Sequence, residues 1–427
     1  MSSVPPSVLQ PSSGRGAWLT QWRAGQRKTI YLCAFVLGLC ALVSVVYFRM
    51  IWEAYKARTP GHPPAFIDFF ALWSYAKIAG AHPAAELYDF AVLHARQIAL
   101  GMDASVDSPF PYPPTFLLLL WPLPLLPYEV AYLVWIVGTL ALFVWAVWGT
   151  CSRLPLCMLG VIVAPATTLN IYAGQSGFLA AALITAGVRL AVARPIVGGV
   201  LIGILSYKPQ LGFLVPIGLA AAGLWPAFGA ACATMVGLVV AATLAFGWAV
   251  WPAWVWMLPV YADWFNQRPP EAFKFMPNVM GNLQLAGVSL PVASGAQAIV
   301  AVVVAVLVAR CFRRKPGRLA TAALLVGTIL ATPHAFFYEL PMVLAAVALF
   351  IEARLKVGST FSGGEVLILA LTIIFPVLML VKALEVPISA VPLLLLLGLI
   401  LRQEAQTARL PEGAAESVGA GGGIAGK

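Results

Sequence analysis

PPTFLLLLWPLPLL, residues 113–126, is the stretch on which the fold of this chain turns. It is apolar enough to enter a bilayer but short, since a spanning helix needs about 20 apolar residues. Pro122 and Pro124 interrupt it, and a proline inside a helix removes a backbone donor and clashes with the preceding turn. If this stretch crossed, every later loop would change sides. It therefore reads as a re-entrant or surface-lying helix on the external side. Irregular backbone at membrane depth is tolerated only where protein or a water-filled cavity shields it.

Working outward, the rest of the chain is just as apolar. Hydrophobic residues make up 61% of the 427 and charged residues 10%, a balance that fits a polytopic, all-α membrane protein and excludes a soluble domain. Candidate spans fall near 30–49, 129–149, 155–170, 175–191, 195–208, 210–223, 226–247, 292–310, 318–332, 336–353, 364–382 and 386–401. That is about twelve, within a range of 11–13 because several are short. The run Ile30–Met50 is too long for a signal-peptide core and is followed by no small-residue cleavage site, so it reads as an uncleaved first span.

The net charge of +10 has the pattern of a membrane protein and carries no nucleic-acid motif. With Arg23, Arg27 and Lys28 placed in the cytoplasm, alternation puts Arg153, Arg189 and Arg194, the cluster RCFRRKPGR (310–318) and Arg354 with Lys356 on that same side. This agreement with the positive-inside rule sets the orientation. The expected organisation is a disordered cytoplasmic tail over 1–28, a membrane body over 29–402 with an external loop at 51–128, and a second disordered cytoplasmic tail over 403–427. The six cysteines form no CxxC pair and read as small buried hydrophobes. Four histidines are too few for a histidine-rich metal site, and no metal or cofactor is expected.

The same orientation sends the rare polar groups to one external face: 51–128, Asn170–Gln175, Tyr207–Gln210, 248–291 and Thr332–Glu339. Asp68 lies in IDFFALWSYAKIAG (67–80), which reads as an amphipathic surface helix. An acid in such surroundings is a functional candidate, although a first-turn acid favoured by the helix dipole explains it equally well. FPYPPT (110–115) suits an extended approach that opens a helix. Asn170 and Gln175 taken singly are ordinary loop-bonding and capping residues. Lys208, in SYKPQLG (206–212), has no acid near it in sequence and sits on the face that disfavours lysine. An anionic ligand, naturally a phosphate, gives it a reason to be there. His334, in TPHAFFYEL (332–340), taken alone reads as a structural hydrogen-bonding residue, and with Lys208 on the same side it becomes a second candidate phosphate contact.

In order, these segments resemble one family. A DF-type acid follows the first span, then YPP (112–114), N-x4-GQ (170–175), GG-x2-IG-x3-YKPQ (198–210) and P-H-x3-Y-[DE] (333–339). The set, from about Ala65 to Leu340, is similar to glycosyltransferase family 87, the polyprenyl-phosphate-mannose-dependent mannosyltransferases of the GT-C superfamily. The resemblance implies a GT-C-type bundle in the cell (inner) membrane with an external, periplasmic active site. It implies transfer of a hexose, usually mannose, from a polyprenyl-phosphate donor to a lipid-linked or glycan acceptor, with inversion. It makes Asp68 the general base and places Lys208 and His334 at the donor phosphate. Tyr112, Asn170, Gln175, Gln210, Tyr338 and Glu339 fall on its motifs and are expected to line the substrate pocket. The competing reading is a transporter or flippase for a lipid or small solute. That reading predicts two related halves, and no such repeat is visible.

Overall fold

The computed structural model describes residues 27–56, 67–151, 155–314, 316–356, 361–378 and 386–407. Among these residues the secondary structure is helical throughout, with no strand. The first span candidate forms α1 (Arg27–Lys56). The loop behind it carries α2 (Ile67–Ala81), α3 (Phe90–Ala99) and α4 (Thr115–Leu120). Then come α5 (Tyr128–Trp148), α6 (Pro155–Val163), α7 (Pro165–Ala173), α8 (Gly177–Ala193), α9 (Pro195–Ile204), α10 (Pro209–Gly212) and α11 (Leu214–Ala221). The second half is α12 (Trp225–Phe246), α13 (Val250–Asn266), α14 (Val279–Leu285), α15 (Leu290–Phe312), α16 (Arg318–Ala331), α17 (Pro341–Lys356), α18 (Gly363–Leu378) and α19 (Ala390–Thr407).

Each candidate span is helical over most of its described residues, and proline sets several of the starts. Pro165, Pro195, Pro209 and Pro341 all open helices, where a missing N–H costs nothing because no intrahelical partner exists there. Pro165 also splits one candidate span into α6 and α7. The helices α5, α12 and α15 are long and apolar enough to cross a membrane. The deciding stretch 113–126 yields only the six residues of α4 and a short 3-10 turn at Leu123–Leu125. Six residues rise about 9 Å, far less than a bilayer. Phe116, Leu117 and Leu120 are buried, so protein shields this segment.

The centre of the bundle is α16, whose residues Leu319–Ala331 are all buried, flanked by α8 and α17. The helix α12 lies at the other extreme. Its long apolar surface is mostly exposed, with Leu244 83% accessible, as expected of a lipid-facing helix. It is held to α9 by close backbone approach. A Cβ at Gly199 would meet the Ala230 methyl at 2.6 Å, and one at Gly203 would meet Thr234 at 2.5 Å and the Ala231 carbonyl at 2.7 Å. In lipid no hydrophobic force drives helices together, so small residues four apart supply contact through backbone proximity.

Two expectations need correction. The segment 67–80 is not an amphipathic surface helix: Phe69, Phe70, Ala71, Leu72, Ser74, Tyr75, Ala76 and Ile78 are buried, nearly all round α2. Its polar Ser74 is paid for internally, by an O–H bond to the Ala71 carbonyl and an N–H bond from Gln97. The helix α1 includes Arg27 and Lys28 and α19 continues to Thr407; the rest of both expected tails, 1–26 and 408–427, lies outside the described residues. Cys232 is exposed on α12, unlike the buried Cys40, Cys151 and Cys311. Residues 57–66 of the expected external loop lie outside the described residues.

The α9–α12 seam is testable. Gly203→Leu should lose about 1–3 kcal/mol of stability through overpacking. Gly237→Leu, on the open side of α12 with nothing within 4 Å, should leave thermal unfolding in detergent unchanged.

Candidate active site

The loop segments named in the sequence converge through a short series of contacts. Gly174 ends α7 with φ 69°, a left-handed turn that suits glycine. A side chain there would also run into Phe69. Phe69 is fully buried, with its ring against Tyr128 and Tyr132 at 5.5 and 5.3 Å. The Tyr132 hydroxyl donates to the Ile171 carbonyl (2.6 Å) and the Trp135 indole to the Gly174 carbonyl (3.1 Å). The turn after α7 and the start of α2 are therefore locked together, with Phe69, the residue after Asp68, against Gly174, the residue before Gln175.

The Asn170 amide donates to the Tyr338 carbonyl at 2.8 Å, joining residues 168 apart. Tyr207 donates to the Ser176 carbonyl at 3.3 Å and stacks on Phe116 at 4.6 Å. Phe116 meets Tyr112 at 4.7 Å. Pro209 keeps Lys208 out of the helical region (φ −132°, ψ 74°), as proline does to the residue before it.

At the middle lies an ion pair. Lys208 Nζ donates to Glu339 Oε1 at 2.6 Å, with the side chains 2% and 3% exposed. The ammonium also sits over the rings of Tyr338 (5.2 Å) and Tyr112 (5.5 Å). Lys208 thus has the acid that its local sequence lacks, supplied from 131 residues away. Asp68 is half-buried and within electrostatic range of Lys208. Burial pushes its carboxyl up to about 6, and the Lys208 charge pulls it partly back. No hydrogen bond to Asp68 is formed by any described residue, so its oxygens remain available.

The cluster is short of hydrogen-bond partners. Asn170 Oδ1, Gln175 Oε1, Ser176 Oγ and Glu339 Oε2 are buried without one. Such atoms cost about 1–3 kcal/mol each and call for an explanation. A ligand rich in hydroxyl groups would satisfy them.

His334 stands apart from this pair. Its ring packs edge-on to Phe265 at 4.9 Å, and burial lowers its pKa, favouring the neutral imidazole. It and Gln210 line a neighbouring cavity of about 460 Å³. Among the described residues no group of three His, Cys, Asp or Glu side chains gathers as a metal site would.

Two residues that sequence reasoning passed over belong to the cluster. Tyr261 lies in electrostatic range of Tyr75, Tyr112 and Tyr338. The Trp254 indole donates to the Pro111 carbonyl at 3.2 Å, tying α13 to the YPP segment. Both lie in a stretch so rich in Trp and Tyr that it reads simply as a membrane-surface anchor.

The helical, apolar architecture is that of a membrane protein, here with a buried polar cluster. The family model for glycosyltransferase family 87 matches residues 110–333, and the chain belongs to that family. The match contains Tyr112, Asn170, Gln175, Lys208 and Gln210, stops one residue before His334, and leaves Asp68 outside. Searches of curated proteins and of solved structures each returned no match.

The ion pair can be probed directly. Glu339→Gln should cost about 3–5 kcal/mol, because it strands a buried ammonium. Adding Lys208→Met should restore much of that loss, as read by thermal unfolding of the purified single and double variants.

Proposed function

We propose that this glycosyltransferase moves a hexose, mannose by family resemblance, from a polyprenyl-phosphate donor to a hydroxyl of a lipid-linked or glycan acceptor. The reading includes a GT-C-type bundle of about twelve spans in the inner membrane, with both termini cytoplasmic and the site external. The observation that carries the chemistry is Asp68: a carboxyl raised to about 6, without a hydrogen-bond partner among the described residues, in range of a buried lysine.

A sugar hydroxyl is a weak nucleophile, and a positioned carboxylate with a pKa near the working pH can take its proton as the new bond forms. The acceptor oxygen attacks the anomeric carbon, the bond from that carbon to the phosphate oxygen breaks, and the electron pair leaves with the lipid phosphate. The proton ends on Asp68. A single displacement inverts the anomeric centre. The leaving phosphate is already a stable anion, so no general acid is required.

Fixed dipoles and charges aimed at a developing anion act strongly in a site closed to water. Lys208 has three N–H donors. Its bond to Glu339 offsets its charge in the resting site and leaves donors for an incoming phosphate. His334, neutral by burial, would contribute one N–H rather than a positive charge. Asn170 and Gln175, with Glu339 Oε2, supply acceptors for sugar hydroxyls, and Tyr112 and Tyr338 wall the pocket. The donor's lipid chain accounts for an enzyme embedded in the bilayer.

Two outcomes follow from Asp68. Transfer should rise with pH through a limb near 6 and level off above it, because only the carboxylate accepts the proton. Asp68→Asn should keep expression and membrane insertion but lose transfer of labelled hexose, read in lipid extracts. Stability runs the other way. Burial raises this acid above its ordinary 3.8, so the folded state favours the protonated form and loses stability as pH climbs from about 4 to about 6. The Asn variant should therefore be at least as stable as the parent at pH 7. Normal transfer in that variant would remove Asp68 from the reaction.

A further inference from the structure

The helix α8 starts at Gly177, against Tyr338 and Asn170, and Arg189 lies near its other end, about 18 Å along the axis. This arginine has no counter-charge. It is half-buried, and its Nε is wholly buried without a hydrogen-bond partner. Among the described residues no acid pairs with it and no acceptor takes any of its N–H groups, although a guanidinium carries five. Its guanidinium lies over the Trp145 ring at 5.3 Å and against Gly149, where an added Cβ would collide with it. The notch at Gly149 is what lets the charge sit between the ends of α5 and α8.

The end of α5 does not satisfy it. A basic side chain near a helix C-terminus usually bonds the last carbonyls, but here other donors take them. The Gly149 N–H bonds the Trp145 carbonyl at 3.0 Å, the Cys151 N–H the Val147 carbonyl at 2.8 Å and the Thr150 hydroxyl the Ala146 carbonyl at 2.7 Å. The Thr150 carbonyl accepts from Arg318 Nε at 2.9 Å, which brings a second positive charge to the same helix end. The partial negative charge there favours a cation, yet Arg189 donates to none of these carbonyls. A desolvated charge without a partner is unfavourable, so an anion from outside the chain would complete the site. The setting says which kind. The helix α5 is long and apolar enough to cross a membrane, and Val137, Ala141, Trp145 and Trp148 are exposed on it. Residues 137, 141 and 145 share one helix face, and the last ring of that face carries the guanidinium. Tryptophan at such an end marks headgroup depth. An apolar track of about 12 Å therefore leads straight to an unpaired cation.

We infer that Arg189, held by the Trp145 ring and the Gly149 notch, binds the phosphate of an anionic phospholipid whose acyl chain lies along Ala141 and Val137. The planar guanidinium can take two phosphate oxygens at once, and basic sites between membrane helices are suited to anionic headgroups. The bound lipid clamps the end of α5 to the end of α8. The site stands apart from the reaction proposed above, because it lies at the opposite end of α8 from the reactive cluster.

The test uses the full-length protein in detergent, with phosphatidylglycerol and phosphatidylcholine binding read by native mass spectrometry and inorganic phosphate added as competitor. The parent should bind phosphatidylglycerol at least tenfold more tightly than phosphatidylcholine. Arg189→Gln should weaken phosphatidylglycerol at least tenfold and leave phosphatidylcholine unchanged. Gly149→Ala keeps the charge and suits the local backbone (φ −60°, ψ −16°), but it pushes the guanidinium out of its notch and should weaken phosphatidylglycerol at least threefold. Arg194→Gln, at an exposed arginine on the same end of α8, should stay within twofold of the parent. Parent-like phosphatidylglycerol binding in Arg189→Gln, or equal weakening by Arg194→Gln, overturns the site. If Arg189→Gln does not fold, Gly149→Ala decides, and parent-like binding there overturns the site. Displacement of phosphatidylglycerol by millimolar inorganic phosphate would make this a soluble-anion site and overturn the lipid assignment.

Discussion

The bond between Lys208 and Glu339 is the constraint around which the rest is arranged. Both side chains are almost completely buried, so neither charge can exist there without the other. The pair fixes the break between α9 and α10 against the entry to α17. It also gives Tyr112 and Tyr338 a cation to face, and it sets the field that Asp68 experiences. Three loops far apart in the chain become one site because a single proton-bearing nitrogen needs a counter-charge that its neighbours in sequence do not provide.

The surrounding scaffold follows from the solvent. In hydrocarbon, backbone groups must be satisfied within each helix, which explains why the candidate spans are helical where they are described. The helices are then sorted by burial. Uniformly buried α16 occupies the middle, and α12, held by glycines on α9, occupies the rim. A rigid centre and a lipid-facing rim leave the polar cluster at the ends of the central helices, where irregular turns can be shielded by α4 and by the aromatic helix α13.

Much of this was legible in the sequence. The apolar runs located the helices, and Pro122 with Pro124 stopped α4 short. The ordered motifs brought Asp68, Asn170, Gln175, Lys208 and Glu339 under suspicion before any contact was known. Three things were not legible. The partner of Lys208 lies 131 residues away, and no local period encodes such a pairing. The burial of α2 on nearly all sides was hidden because helical spacing of Phe69, Leu72 and Ala76 looks the same whether the opposite face meets solvent or protein. Tyr261 and Trp254 were concealed by their own company, since a tract of aromatics at a membrane edge has an adequate explanation without any contact to a site. His334 shows the converse. Its motif joined it to Lys208, while its ring settled against Phe265.

Position 177 carries a consequence for anyone who would reshape this enzyme. Its backbone follows ordinary helical geometry, so no torsional signature marks it as special, yet a single added methyl would land on the Tyr338 carbonyl and on the Asn170 amide together. Three strands of chain cross there with only a hydrogen's width between them. Substitution at that point would wedge apart the crossing that holds the Asn170 and Tyr338 segments in register.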